Sequence, residues 1–64
     1  MNIRKNIHKN LRKKGITAYK LSKDTKISQG YIYDILSGKE SNPSIRIMKK
    51  IADYLGVTID ELIN

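Results

Sequence analysis

Residues Thr17 to Lys39, TAYKLSKDTKISQGYIYDILSGK, decide how this chain is read. The stretch resolves into two short helices around a tight turn. Thr17 is a good N-cap, and Ile16 before it and Leu21 after it have the spacing of a hydrophobic staple. This helix ends near Thr25. Ser28 caps the next helix, Ile27 and Ile32 repeat the staple, and Gly38 ends it. Lys26, Ile27 and Ser28 form the turn. Leu21, Ile32 and Ile35 are the apolar residues that lock one helix against the other, as a helix-turn-helix requires. The buried face of the second helix of the pair is expected to be Ile32, Ile35 and Leu36.

The outer face of that helix carries Gln29, Gly30, Tyr33, Asp34 and Ser37. Its N-terminal end is the part of a recognition helix that meets base edges. Glutamine pairs bidentately with adenine, and aspartate accepts from the amino group of cytosine. Gln29, Gly30, Tyr33 and Asp34 are therefore the candidate base contacts, with Gly30 serving by being small. Tyr31 is expected to pack toward the preceding helix with its hydroxyl near the DNA backbone, and Tyr19 and Tyr54 are expected at the rim of the core. A plain solvated helix face is the competing reading of the same residues.

The flanking sequence extends the helical pattern. From about Asn2 to Lys13, Ile3, Ile7 and Leu11 recur every fourth residue and make an apolar stripe, and Gly15 supplies a stop. Lys39 to Pro43 reads as a loop. Ser44 caps a fourth helix with an inner face of Ile45, Met48, Ile51, Ala52 and Leu55, stopped by Gly56. A last helix, about Ile59 to Ile63, begins with a capping box in which Thr58 accepts from the amide of Glu61 and Glu61 reaches back to the amide of Thr58. Val57 and Leu62 form a third staple. No strand pattern or repeat is visible. The expected fold is all-α, five short helices on one core, with a single domain over residues 1–64.

A chain of 64 residues has no room for both a substrate pocket and the scaffold to hold it. It has no cysteine and a single histidine, so its stability is expected from helix packing rather than from disulfides or metal. His8 has no partner at ligand spacing and reads as a surface residue. Asp53, Asp60 and Glu61 make no catalytic pair, and no nucleophile lies beside a base. No catalytic activity, cofactor, metal or small-molecule effector is expected. No apolar run approaches the roughly 20 residues of a membrane span, and the basic N-terminus lacks the apolar segment of a signal peptide. The absence of cysteine fits a reducing cytoplasm.

The net charge of +7 is unevenly placed. Residues 1 to 14 hold Arg4, Lys5, Lys9, Arg12, Lys13 and Lys14 and no acid, whereas from Ser41 onward bases and acids balance. A polyanion is the natural partner of the N-terminal half. A membrane-surface reading of the first helix fits poorly, because its apolar face is narrow, lacks aromatics and is needed by the core.

In this order and spacing, Thr17 to Ser22 (TAYKLS), Ser28 to Gly38 (SQGYIYDILSG), Asn42 to Ile45 (NPSI) and Ile51 to Leu62 (IADYLGVTIDEL) resemble the Cro and lambda-repressor type of helix-turn-helix domain, the XRE family. The resemblance covers nearly the whole chain. It implies a cytoplasmic regulator of a bacterium, phage or mobile element that binds operator DNA, often as a dimer, with the third helix in the major groove. The candidate phosphate contacts are the helix start at Thr17 and Ala18, then Lys20, Ser28, Lys39 and Asn42. A dimer would use the C-terminal helix and nearby loops, where Tyr54, Ile59, Leu62 and Ile63 are expected to form an exposed apolar patch.

The chain departs from the family pattern at several positions. Ala18 stands where glutamine is frequent, leaving only backbone amides for a phosphate. Lys20 replaces a glutamate, which breaks a capping box and sets a cation at a positive helix end. Lys26 replaces the turn glycine; a lysine at positive φ costs about 1 kcal/mol, so either the turn is strained or it differs in detail. Leu11 and Leu36 replace an arginine–glutamate pair that joins the first and third helices, and they are expected to be buried against each other. The alternative function is a protein-interaction module, such as an antitoxin or an antagonist of another regulator. RNA is a weaker alternative, because no aromatic platform on a sheet is present.

Overall fold

Hydroxyl groups set the start of four helices. Thr17 Oγ1 accepts from the amide of Lys20 at 3.1 Å, Ser28 Oγ from Tyr31 at 3.2 Å, Ser44 Oγ from Ile47 at 3.3 Å and Thr58 Oγ1 from Glu61 at 3.1 Å. Each satisfies one of the amides that a helix start leaves without a partner, worth about 1 kcal/mol apiece. The computed structural model describes residues 2–64. Its helices are α1 (Ile3–Lys14), α2 (Ala18–Thr25), α3 (Gln29–Ser37), α4 (Ile45–Leu55) and α5 (Ile59–Ile63), as the five-helix reading predicts, with no strand among the described residues. The expected box at α5 closes by half: Glu61 donates its amide to Thr58, while its exposed carboxylate makes no return bond. α1 starts without a side-chain cap at Asn2 and extends to Lys14.

The core is one cluster. Ile3, Ile7 and Leu11 from α1 meet Leu21, Ile27, Ile32 and Ile35 of the helix pair, and Met48, Ile51, Ala52 and Leu55 of α4 close it with Leu62 of α5. α3 packs on α2 and α1, α4 on α2, and α5 on α1 and α4. The amide of Asn2 donates to the carbonyl of Ile63 at 3.1 Å, and Asn6 Nδ2 donates to that of Leu62 at 2.7 Å. These bonds seat α5 against the first helix.

Three expectations about packing need correction. Ile45 is 65% exposed, and Ile47, half-buried, packs on the core instead. Ile45 is the first residue of α4 and lies at the outer end of the apolar stripe, whereas Met48, Ile51, Ala52 and Leu55 on the following turns are buried. Leu36 is half-buried rather than buried, while Leu11 is 6% exposed. Leu36 lies at the C-terminal edge of α3, where it forms one wall of a hollow with Arg4, Lys5, His8 and Arg12. Leu62 is fully buried, so it belongs to the core and not to an exposed patch.

The turn between α2 and α3 is strained at one residue and held by two others. Lys26 has φ 65°, the left-handed region, so of the two alternatives the strained turn is the one found. Ser22, the buried polar residue of α2, donates its hydroxyl to the carbonyl of Ile27 at 2.6 Å. The Thr25 hydroxyl donates to the carbonyl of Leu21 at 2.6 Å and accepts from the amide of Ile27 at 3.4 Å. These bonds, with the burial of Ile27, fix the angle at which α3 leaves the turn.

Candidate nucleic-acid interface

The apolar lock of Leu21, Ile32 and Ile35, all at or below 1% exposure, turns the opposite side of α3 to solvent. Gln29 and Gly30 are exposed there, Tyr33 is 51% exposed, and Asp34 is half-buried. The carbonyl of Asp34 accepts from the amide of Glu40 at 2.9 Å and from the Ser37 hydroxyl at 3.2 Å. The side chains of Gln29, Tyr33 and Asp34 make no hydrogen bond among the described residues, so their donors and acceptors face outward unpaired. Gly30 has an ordinary helical φ, and a Cβ built on it meets nothing within 4 Å. Neither backbone conformation nor internal packing therefore requires glycine at this position.

The predicted phosphate contacts ring this face but differ in availability. Thr17 and Ser28 use their oxygens as caps and keep their hydroxyl protons free to donate. Ala18 is half-buried, and the backbone amides of the α2 start are the donors there. Lys39 and Asn42 are exposed in the loop after α3. That loop is folded by Glu40, whose carboxylate accepts from the amide of Asn42 at 3.0 Å. Lys20 is engaged: its ammonium lies 3.0 Å from Asp24 Oδ2, one helical turn on. The unfavourable cation at the start of α2 is thus answered within the chain, which the family comparison of single positions did not indicate.

Asp24 also accepts from the Tyr54 hydroxyl at 2.6 Å. That hydrogen bond, and then the one from Lys20, hold the Asp24 carboxyl below the usual carboxylate range. The same contact with Asp24 raises the Tyr54 phenol and the Lys20 ammonium. Tyr54 is therefore a tie between α2 and α4 at the rim of the core rather than a free apolar surface. Ile59 and Ile63, its companions in the expected patch, are half-buried.

The backbone contacts of Arg4 and His8 escaped the sequence reading. Tyr31 packs against the core and lines a shallow hollow with Lys26, Ile27, Ser28, Ile47 and Lys50, over the turn that follows α2. His8 is exposed as expected, but its Nε2 lies 2.9 Å from the carbonyl of Leu36. Arg4 donates to the carbonyl of Ser37 at 3.3 Å. Both side chains follow inward residues of the α1 stripe by one position, and that offset was the available signal. No helix among the described residues is long and apolar enough to cross a membrane.

A family model described as helix-turn-helix matches residues 7–62. Comparison with curated proteins and with solved structures returns no match.

Proposed function

We propose, given that the chain belongs to the helix-turn-helix family of the Cro and lambda-repressor type, that it is a sequence-specific transcriptional repressor acting in the cytoplasm, with α3 in the major groove of operator DNA. The observation that carries this reading is the outer face of α3. Gln29 and Tyr33 offer unpaired polar groups on a helix of which the opposite face is locked into the core. Between them Gly30 stands where the fold has no use for glycine and where a helix is weakened by it. A backbone that must approach base edges closely accounts for that choice.

In this reading Gln29 reads a base edge, Gly30 and Tyr33 lie against the groove floor and wall, and Asp34 faces a cytosine amino group. Thr17, Ala18, Ser28, Lys39 and Asn42 grip phosphates on either side of the groove. Lys20 joins them while remaining paired to Asp24, the carboxylate holding the ammonium in place. Two copies associate weakly through the surface near Ile59 and Ile63 and bind half-sites about 34 Å apart.

Selection of bound duplexes from a random pool tests the reading. A recurring sequence with two-fold symmetry is the expected result. Recovery of no sequence preference by the protein alone, with retardation of DNA only after a second protein is added, would instead support a partner-dependent interaction module.

A further inference from the structure

Arg4, His8 and Arg12 follow one another at four-residue intervals and form a row along α1. With Lys5 they surround a shallow hollow whose remaining wall is Leu36, and no carboxylate lines it. The ion pairs among the described residues, Lys20–Asp24 and Lys49–Asp53, lie elsewhere. Two members of the row are aimed by α3. Arg4 Nη1 donates to the carbonyl of Ser37, and His8 Nε2 lies on that of Leu36. These carbonyls belong to the last turn of α3, where unpaired acceptors and the negative end of the helix dipole hold cations. The Arg4 guanidinium also lies over Gly38, so close that a Cβ there would stand 3.1 Å from Nη1. One end of the row therefore abuts the residue that precedes Lys39.

Arg4 and Arg12 bring two guanidinium groups to this row, with the ammonium of Lys5 beside them. The α3 carbonyls answer only part of their hydrogen-bonding capacity. A guanidinium has five N–H donors in a planar fork that matches phosphate oxygens. From Arg4 to Arg12 the helix rises about 12 Å. That is long enough to meet more than one successive phosphate of a strand. A single small anion would meet one member of the row, whereas a sugar–phosphate strand meets all of them.

We propose that Arg4, Lys5, His8 and Arg12 form a second phosphodiester-binding site, which grips the DNA strand flanking the half-site beyond Lys39. This site rests on the DNA-binding reading and adds to it a grip, independent of sequence, that lengthens the footprint. The bonds from Arg4 and His8 to the end of α3 couple this grip to the angle of the reading helix.

The remaining bases of α1 provide a matched control. Lys9, Lys13 and Lys14 line a separate hollow with Asn6, Asn10 and the corner between α4 and α5. Lys5→Gln/Arg12→Gln and Lys9→Gln/Lys13→Gln therefore remove equal charge from one helix on two different faces, all at exposed positions. Binding is measured across salt concentrations on a duplex recovered by selection, cut to the recognised sequence or extended by about five base pairs on each side. On the extended duplex, Lys5→Gln/Arg12→Gln should lower the slope of log K against log salt by about 2. It should also abolish the gain in affinity that extension gives the parent. Lys9→Gln/Lys13→Gln should lower the slope by less than one and keep the gain. Equal losses in the two variants, or no loss in Lys5→Gln/Arg12→Gln, overturn the site. A parent that still prefers its selected sequence would then leave the DNA-binding reading standing, whereas a parent that binds no duplex overturns both.

Discussion

The hydroxyl oxygen of Tyr54 lies 2.6 Å from Oδ2 of Asp24, and this bond joins α4 to α2 across the rim of the core. Because Lys20 pairs with the same carboxylate, one acid on α2 fixes both the inter-helix tie and the charge at the helix start. α3 packs on α2, so the tie from Tyr54 to Asp24 also bears on how α3 sits in the fold.

This cluster has a defined pH window. Asp24 titrates below its ordinary value near 3.9, so its contribution is present above the value it has in the unfolded chain and is lost as pH falls through the folded one. Tyr54 and Lys20 titrate above their ordinary values near 10, so theirs are present below those values and are lost as pH rises through the folded ones. Tyr54→Phe should shift the Asp24 midpoint upward, toward the ordinary carboxylate value, in a carboxyl NMR titration. An Asp24 midpoint unchanged in Tyr54→Phe would show that the bond is not formed in solution.

The left-handed Lys26 predicts a stabilising substitution. Glycine adopts φ 65° without a Cβ clash but has more freedom to lose on folding. The difference favours Lys26→Gly by about 0.5–1 kcal/mol. In a domain of this size that is a rise of several degrees in melting temperature. A fall would mean that the lysine side chain makes a contact outweighing its strain.

Leu62 and Leu36 separate two kinds of apolar position. Leu62 is fully buried between α1, α4 and α5, and Leu62→Ala should cost about 2–5 kcal/mol, enough to threaten a domain this small. Leu36 keeps part of its surface in water, and Leu36→Ala should cost about half as much. Denaturant unfolding of the two variants gives the order directly, and a larger loss at Leu36 would mean that the joint between α1 and α3 is tighter than its exposure indicates.

Helix starts and the inward stripe were legible because each depends on residues a few positions apart. Thr17, Ser28, Ser44 and Thr58 announce their amides locally, and Ile3, Ile7 and Leu11 announce a face by period. Lys26 was legible for the same reason, since a turn constrains the backbone of one residue. Ile45 was not, because apolar character alone does not tell the first residue of a helix from the second turn. Tyr54 lies at the rim of the core as expected, but Leu62, and Tyr54 as part of an exposed patch, were misplaced because α1 packs on α5 and α2 on α4, long-range contacts that no local pattern encodes. The same holds for Arg4 and His8, whose partners lie 33 and 28 residues away. Of the candidate interface, the outward setting of Gln29, Gly30 and Tyr33 followed from the lock. The engagement of Lys20 by Asp24 lay in the sequence at a four-residue spacing, the ordinary distance of an ion pair along one helix face.

Gly30 offers a test in which stability and function move in opposite directions. Because a Cβ there meets nothing in the free protein, Gly30→Ala should stabilise the fold by about 0.5 kcal/mol or slightly more. The same methyl should weaken binding to the selected duplex if the α3 backbone approaches the bases closely. Thermal melting and duplex titration of one variant give both signs, and stronger or unchanged binding would remove the functional reason for glycine.

Reading and gripping are distinguished at Gln29 and Lys39. Gln29 lies on the first turn of α3, exposed and away from Ile32 and Ile35. Lys39 follows the helix stop at Gly38 and is exposed, as the proposed phosphate contact requires. Gln29→Ala should lose about 1–3 kcal/mol at one base pair and relax the preference there, with little effect on nonspecific duplex. Lys39→Ala should weaken binding to all duplexes alike and reduce the salt slope by roughly one ion. Both variants should keep the parent melting temperature, because neither residue belongs to the lock. Titrations at several salt concentrations on matched and mismatched duplexes measure the two effects separately. If Gln29→Ala discriminates among duplexes as the parent does, α3 does not read the sequence through its first turn, and the partner-dependent function takes precedence.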